Sequence, residues 1–403
     1  MSEQTIADVS GFRAAGVHAG LKKEGKLDVA LVVSDRPCVA AGTFTQNLVR
    51  AAPVLYDEEV LAANAEGIRA VVVNAKNANA VTGEQGMRDA AEMARLTEEA
   101  LGLAAGSVLV MSTGVIGVPM PMEKIARGVR LAADALGTTT KDAIRASEAI
   151  MTTDTHPKRA SQQVELSGVR VTLAGMAKGA GMIHPDMATL LGLVVTDAAI
   201  KVEPLQAALH YAVERSYNCI SVDGDTSTND TQLVLTNGAA GNPTIDSEEH
   251  PDFVAFRHAL CQLCTDLARQ VAFDGEGATK HVTIQVQGTR TWEEARQIGR
   301  TIATSPLVKT ALFGRDANWG RVLAAAGRAG VPFDPGKAHL WFGDLQLLKD
   351  GAPVGVDEAR ALEILSATDI YLTLALGEGD ASACLWTCDL SYDYVTVNAE
   401  YRT

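Results

Sequence analysis

A layered α/β or α+β fold, with mixed sheets and helices packed on them, is predicted by three features of this 403-residue sequence. Strand-like and helical runs alternate along the whole chain. The strand-like runs are rich in Val, Ile and Leu, as in strands covered on both faces. Hairpin-capable neighbours argue against a purely parallel sheet. The length leaves room for two or three domains and a large core, and no short repeat, charge block or low-complexity linker divides it.

In chain order the strand-like runs fall at 29–34, 69–74, 108–112, 168–174 and 191–196, then at 219–222, 232–236, 281–286, 339–342, 370–376 and 383–388. Helical periodicity occupies 87–101, 122–135, 141–151, 204–217, 251–272, 291–305, 319–328 and 357–365. Residues 241–250, GNPTIDSEEH, are the most polar connector and read as an exposed loop.

Composition narrows the function. Hydrophobic residues make up 47% and charged residues 21%, ordinary values for a soluble globular protein. The formal charge of -14 comes without a Lys/Arg cluster, so nucleic acid and anionic membrane are poor partners. An acidic substrate has to be met by a local cation. The first residues, MSEQTIADVSG, resemble neither a signal nor a transit peptide. No run approaches the ~20 apolar residues of a membrane span, so a soluble cytoplasmic enzyme is expected.

Metal and nucleotide chemistry find little support. Cys261 and Cys264, and Cys384 and Cys388, have spacings that invite zinc. The first pair falls in a helical pattern and the second in a strand pattern, whereas zinc pairs favour tight turns. Reduced buried thiols and no metal are the expectation, with Cys38 and Cys219 completing the set. The eight histidines occur singly, without HExxH. Walker A, GxSxG and GxGxxG motifs are missing, which counts against ATPases, α/β-hydrolases and dinucleotide enzymes.

The chemistry concentrates in a few loops. Residues 178–190 read KGAGMIHPDMATL, where Gly179, Gly181 and Pro185 bend the chain before an apolar strand. Ala188 precedes Thr189 there. A threonine behind a small residue in a strained turn is placed to attack the carbonyl of that residue. Cleavage then frees an α-amino group that serves the hydroxyl as base. The same residues also suit a plain glycine-rich loop entering a buried strand. Thr113 and Gly114 end a strand, where a hydroxyl and the next N–H can converge on one oxygen, although Thr-Gly turns are common. MTTDT at 151–155 sits at a helix end and suits capping equally well. DGDTSTND at 223–230 looks like a metal or phosphate loop but lacks the sixth-position glycine and closing Glu of an EF-hand. FDGEGATK at 273–280 sets Glu276 between two glycines.

Taken together and in order, these segments resemble the ornithine acetyltransferase (glutamate N-acetyltransferase) family of arginine biosynthesis, over essentially the whole chain. The resemblance is carried by TFTQN at 43–47, NANAVTG at 77–83, STGVIG at 112–117, MTTDT at 151–155 and KGAGMIHPDMAT at 178–189. It continues through SVDGDTSTND at 221–230, DGEGATK at 274–280, DANWGR at 316–321 and VNAE at 397–400.

The resemblance implies self-cleavage between Ala188 and Thr189. An α chain of 1–188 and a β chain of 189–403 then intertwine in the layered fold and pair as an α2β2 heterotetramer. It implies Thr189 as nucleophile and Thr113 with Gly114 as the oxyanion hole. Thr152, Lys178, Thr189, Glu276, Asn398 and Thr403 are implied to bind the amino-acid substrate, with Thr153 an alternative to Thr152. The implied reaction is ping-pong acetyl transfer from N2-acetyl-L-ornithine to L-glutamate, with no cofactor. Acetyl-CoA as a second donor stays open. So does a self-processing amidohydrolase or aminopeptidase, in which water is the acceptor. Lys178 suits a substrate carboxylate, while Glu276 suits ornithine's δ-ammonium and repels glutamate's side chain. Two departures touch loop geometry alone: Ala75 and Lys76 stand where Ser-Gly is expected, and Ala317 where Pro is expected.

Overall fold

In the computed structural model, which describes residues 5–23, 25–184 and 190–400, alternate side chains of the central strands feed different cores. The chain begins with β1 (Phe12–Val17), β2 (Val29–Phe44), α1 (Ala52–Asn64), β3 (Ile68–Asn74), α2 (Gly83–Leu101) and β4 (Val108–Ser112). It continues through α3 (Met122–Asp134), α4 (Thr140–Ala149), β5 (Lys158–Leu166), β6 (Val169–Lys178) and β7 (Leu191–Thr196). Next come α5 (Val202–Arg215), β8 (Ile220–Ser221), β9 (Thr231–Thr236), α6 (Phe253–Phe273), β10 (His281–Thr289), α7 (Trp292–Ala303), α8 (Pro306–Phe313) and α9 (Trp319–Gly327). The last elements are β11 (His339–Phe342), β12 (Leu345–Lys349), β13 (Ala352–Pro353), α10 (Glu358–Ser366), β14 (Asp369–Ala375), β15 (Ala381–Cys388) and α11 (Tyr392–Glu400).

The first sheet has the order β4-β3-β2-β9-β7-β6-β5, with β1 added beside β2. The second runs β13-β12-β11-β14-β10-β15-β8. Both are mixed, as the hairpin-capable runs predict: β7 and β9 are parallel, as are β10 and β14, while β5, β6 and β7 form antiparallel pairs. In β7, Val194 joins a cluster with Leu263 and Leu267 of α6, while Leu193 and Val195 join another with Ala143 and Ala146 of α4. That period of two is why LGLVV, residues 191–195, is apolar on both faces.

Helix α6 joins the two sheets. Phe253, Phe256, Leu260, Leu263, Leu267 and Val271, spaced three or four apart, are all buried. Each such side chain contributes roughly 1.5–3 kcal/mol of burial. The helix touches β5 and β6 on one side and β8, β10 and β15 on the other. Cys261 and Cys264 lie within it, Cys384 and Cys388 lie on β15, and all six thiols are free.

Several elements were not expected, each for a physical reason. β5 is the edge of its sheet, and KRASQQVEL alternates buried and wet positions without an apolar run. None of the residues of α11 is buried, so it has no apolar stripe to read. β2 runs ten residues past its expected end because its register shifts between Val33 and Cys38. Beyond that shift it leaves β3 and pairs with β9. β1, α1, α8 and the short β12 and β13 were also missed. Among the described residues, no helix is long and apolar enough to cross a membrane.

Candidate active site

Strand ends and loops from distant parts of the chain converge on a cavity of ≈ 170 Å³. β4 ends at Ser112 and passes the chain to Thr113 and Gly114, while β6 ends at Lys178, paired with Leu191 at the start of β7. Thr113, Gly114, Thr152, Lys178, Glu276 and Asn398 all line this cavity. Thr153 does so too, so Thr152 and Thr153 are not separated by position. Ala188, Thr189 and Thr403 lie outside the described residues. Leu190, the residue after Thr189, is part of the cavity wall, and its carbonyl accepts from Thr231 N at 3.0 Å.

The turn after β4 is held backbone to backbone. Gly114 has φ +136, and a Cβ there would lie 2.2 Å from the carbonyl carbon of Lys76, so only glycine fits. Val115 N donates to Lys76 O at 3.1 Å, and Ala78 N to Val115 O at 3.0 Å. Lys76 itself has φ +79, the left-handed conformation that the glycine expected there would adopt freely. The turn therefore keeps its shape with lysine in the strained position. At the other departure, Asn318 still caps α9, accepting from Arg321 N at 3.1 Å without a preceding proline.

Lys178 Nζ donates to Thr113 Oγ1 at 3.2 Å. An ammonium has no lone pair, so the hydroxyl must accept this bond and keeps its own proton for another acceptor. Burial pushes the pKa of Lys178 down; Asp154 opposes this and Lys158 adds to it, with Glu276 and Asp230 also opposing. For Asp154 burial pushes up, but Lys178 and Lys158 outweigh it and hold the carboxyl well below the usual range. Asp154 Oδ1 accepts from Gly179 N at 2.7 Å and Lys158 Nζ at 2.5 Å, and Oδ2 accepts from Thr152 N at 2.8 Å.

Glu276 faces the cavity from the other side. Its N–H donates to Ala180 O at 2.9 Å, and its Oε2 accepts from Asn398 Nδ2 at 2.9 Å. The carboxylate covers Gly181, where a Cβ would come within 2.5 Å of Oε2. The second hydrogen of Asn398 Nδ2 goes to Tyr394 O at 3.0 Å. Glu276 Oε1 and Asn398 Oδ1 are therefore acceptors, a pair suited to an ammonium. The cavity thus offers a cation, an acceptor pair and two donors, the Thr113 hydroxyl and Gly114 N–H, that suit a developing oxyanion.

Sequence reasoning gave no role to the 223–230 stretch, yet it forms one wall. Asp223 accepts from Met182 N at 2.6 Å and Ile183 N at 2.9 Å, pinning the backbone that follows Gly181. Asn229 Nδ2 donates to Ala78 O at 2.6 Å and Ser112 O at 2.9 Å, stitching three segments together. Burial pushes the Asp230 carboxyl well above its ordinary range, and its Oδ2 has no partner among the described residues. The density of Asp, Ser, Thr and Asn was the available signal. Tyr394 and Lys158 carried none. Among the described residues, no group of three or more His, Cys, Asp and Glu is arranged to hold a metal.

A sequence profile described as the ArgJ family matches residues 13–403. The arginine biosynthesis bifunctional protein ArgJ of Symbiobacterium thermophilum is 52% identical over 397 residues, covering 98% of this chain and 97% of that protein. The protein of the same name from Geobacter sulfurreducens is 48% identical, with 98% and 100% covered. The crystal structure of the arginine biosynthesis bifunctional protein from Bacillus halodurans aligns with a TM-score of 0.51 at 42% identity. That alignment covers 98% of the solved chain and 52% of this one.

Proposed function

This chain belongs to the ArgJ family and is an arginine-biosynthesis acetyltransferase, and from that premise we propose that it carries the acetyl group as an ester on Thr189. The observation that carries the reading is the convergence of Thr113, Gly114, Thr152, Lys178, Glu276 and Asn398 on one cavity.

In maturation, Thr189 Oγ attacks the Ala188 carbonyl. The peptide nitrogen leaves as the new α-amino group, and water cleaves the resulting ester, giving chains 1–188 and 189–403. An α-amino group has a reference pKa near ~8, so a small downward shift suits it to act as base at neutral pH.

In turnover, Thr189 Oγ adds to the acetyl carbonyl of N2-acetyl-L-ornithine while the α-amino group takes its proton. The hydroxyl of Thr113 and the N–H of Gly114 meet the oxyanion, and the bonding between Lys178 and Thr113 leaves that hydroxyl proton available. The protonated α-amino group returns that proton to the leaving nitrogen as the C–N bond breaks, and ornithine leaves. The neutral amine of glutamate then attacks the acetyl-threonine, the α-amino group of Thr189 takes the amine's proton, and it passes the proton to Thr189 Oγ as the ester bond breaks, regenerating the hydroxyl. N-acetylornithine and N-acetylglutamate share an α-carboxylate, so one subsite at Lys178 serves both. The acceptors on Glu276 and Asn398 suit ornithine's δ-ammonium or the α-ammonium that ornithine shares with glutamate. The second arrangement avoids repulsion between Glu276 and glutamate's side chain.

The reading includes an α2β2 assembly in the cytoplasm, no cofactor, and acetyl-CoA as a second donor. That the relatives are named bifunctional proteins supports the second donor. The test follows N-acetylglutamate, ornithine and acetate with N-acetylornithine and glutamate present, and then with acetyl-CoA as sole donor. Acetylglutamate formed in step with ornithine supports transfer. Acetate released in its place makes the protein a hydrolase.

A further inference from the structure

Behind the cavity wall lies a row of buried charges that the chemistry above does not use. Asp154, Lys158 and Asp274 have side chains 0%, 0% and 4% exposed. Lys158 Nζ donates to Asp154 Oδ1 at 2.5 Å and, on its other side, to Asp274 Oδ2. Lys158 opens β5 and is paired with Ala177, next to Lys178 on β6. Asp274 follows α6 and stands two residues before Glu276. Asp274 also accepts from Thr155 N at 3.0 Å and from Thr155 Oγ1, with His156 Nδ1 3.3 Å away on the solvent side.

Each anion of this row grips a substrate-facing segment. Asp154 holds Gly179 N, directly after Lys178, and Thr152 N. Asp274 holds the far end of the 152–155 turn and fixes the start of the loop that carries Glu276. In chain position these segments are unrelated, and through Lys158 they share one bridge. Signs alternate along Lys178, Asp154, Lys158 and Asp274, so each buried charge has opposite neighbours. In a low-dielectric interior such pairs tolerate little displacement, because a charge that loses its partner pays the desolvation cost alone.

We propose that Lys158 is a positioning residue: with Asp154 and Asp274 it forms a buried ionic clamp that sets the spacing between Lys178, Thr152 and Glu276. The proposal rests on the acetyltransferase reading for what those three residues bind. Gly114 lies outside the clamp and Thr113 meets it only through the bond from Lys178, so it governs how substrates are held more than how the acetyl group reacts.

The test compares Lys158→Met, Lys158→Arg and Asp154→Asn with the unsubstituted enzyme. Readouts are KM and kcat for N-acetylornithine and glutamate, the Kd of ornithine by calorimetry, and melting curves. Lys158→Met is expected to raise KM for both substrates, and the Kd of ornithine, about tenfold or more while kcat changes less than about threefold. Lys158→Arg restores most of the affinity. If Lys158→Met does not fold, Asp154→Asn decides, because it keeps the shape and loses the charge that Lys158 bridges; a KM and Kd rise of the same kind is expected. Folded variants with unchanged KM and Kd, and a lowered melting temperature alone, overturn the proposal by reducing the clamp to a structural ion pair. An unsubstituted enzyme that transfers no acetyl group would overturn the functional reading instead, and the calorimetric comparison would still stand.

Discussion

Gly114→Ala is the most exacting perturbation of the oxyanion turn. The added Cβ would stand 2.2 Å from the carbonyl carbon of Lys76, 2.4 Å from its oxygen and 2.6 Å from Asn77 N. These are backbone atoms, and Val115 N and the Asn77–Thr113 bridge tie them to the same turn. The turn itself must therefore move by about 1 Å to reach ordinary contact, and a misplacement of that size costs on the order of 10²-fold in rate. Loss of one oxyanion donor gives the same scale, about 2.7–4 kcal/mol or 10²–10³-fold in kcat. The strained φ of +136 adds roughly 1–3 kcal/mol of destabilisation. Gly117→Ala is the control, because Gly117 has φ +77 but nothing within 4 Å of its Cβ. It should incur the backbone strain and keep near-normal turnover. The assay is kcat for acetyl transfer beside the melting temperature, with self-cleavage followed on a denaturing gel. Folded Gly114→Ala protein with kcat within about threefold of the unsubstituted enzyme would refute the assignment of its N–H to the oxyanion.

Three further outcomes are expected. Glu276→Gln keeps an acceptor for Asn398 but removes the charge (bond at 2.9 Å); losing a charge-assisted contact of roughly 1.4 kcal/mol should raise KM about tenfold, for N-acetylornithine where the contact is to its δ-ammonium and for glutamate where it is to the α-ammonium, and two unchanged KM values place the ammonium elsewhere. Because burial lowers the pKa of Lys178, carboxylate affinity should fall with rising pH before the ordinary lysine range is reached, and Lys178→Arg should abolish that alkaline limb in plots of KM against pH. Asp57 is fully buried, accepts from Val110 N at 2.8 Å, and burial raises its pKa well above the usual value. The folded state therefore holds a proton that the unfolded chain releases near ~4, so this contribution to stability is complete at low pH and is lost as pH rises through the folded pKa. Asp57→Asn should melt higher than the unsubstituted protein at about pH 8 and flatten the dependence between about pH 5 and 8; parallel melting curves at all pH values would contradict this.

How much of this was legible depended on where each residue's constraint lies. LGLVV of β7 and LVL of β9 announce themselves because burial on both faces selects apolar side chains, and the flanking Thr196, Thr231, Gln232 and Thr236 are buried as well. KRASQQVEL of β5 stays silent, since an edge strand needs no apolar run, and Lys158 went unnoticed with it. Thr113, Lys178 and Glu276 drew attention through the family resemblance, and the glycines beside them mark the turns that bring them to one cavity. Gly114 and Gly277 earn their place by contacts with Lys76 and Tyr394, far away in sequence, which no local pattern encodes. Asp230 shows the limit best: its chemistry comes from complete burial beside Lys178, a tertiary fact. Lys76 is the reverse case, where a residue that looked wrong for its turn is held there at φ +79 by the surrounding bonds.

The central claim is that Thr189 first cuts the chain and then bears the acetyl group. Intact-mass spectrometry of denatured protein, after mixing with N-acetylornithine and no glutamate, tests it directly. Two chains with the masses of 1–188 and 189–403 are expected, the second heavier by one acetyl group that disappears when glutamate is added. A single uncut chain that turns over, or an acetyl group found on 1–188, would contradict the account.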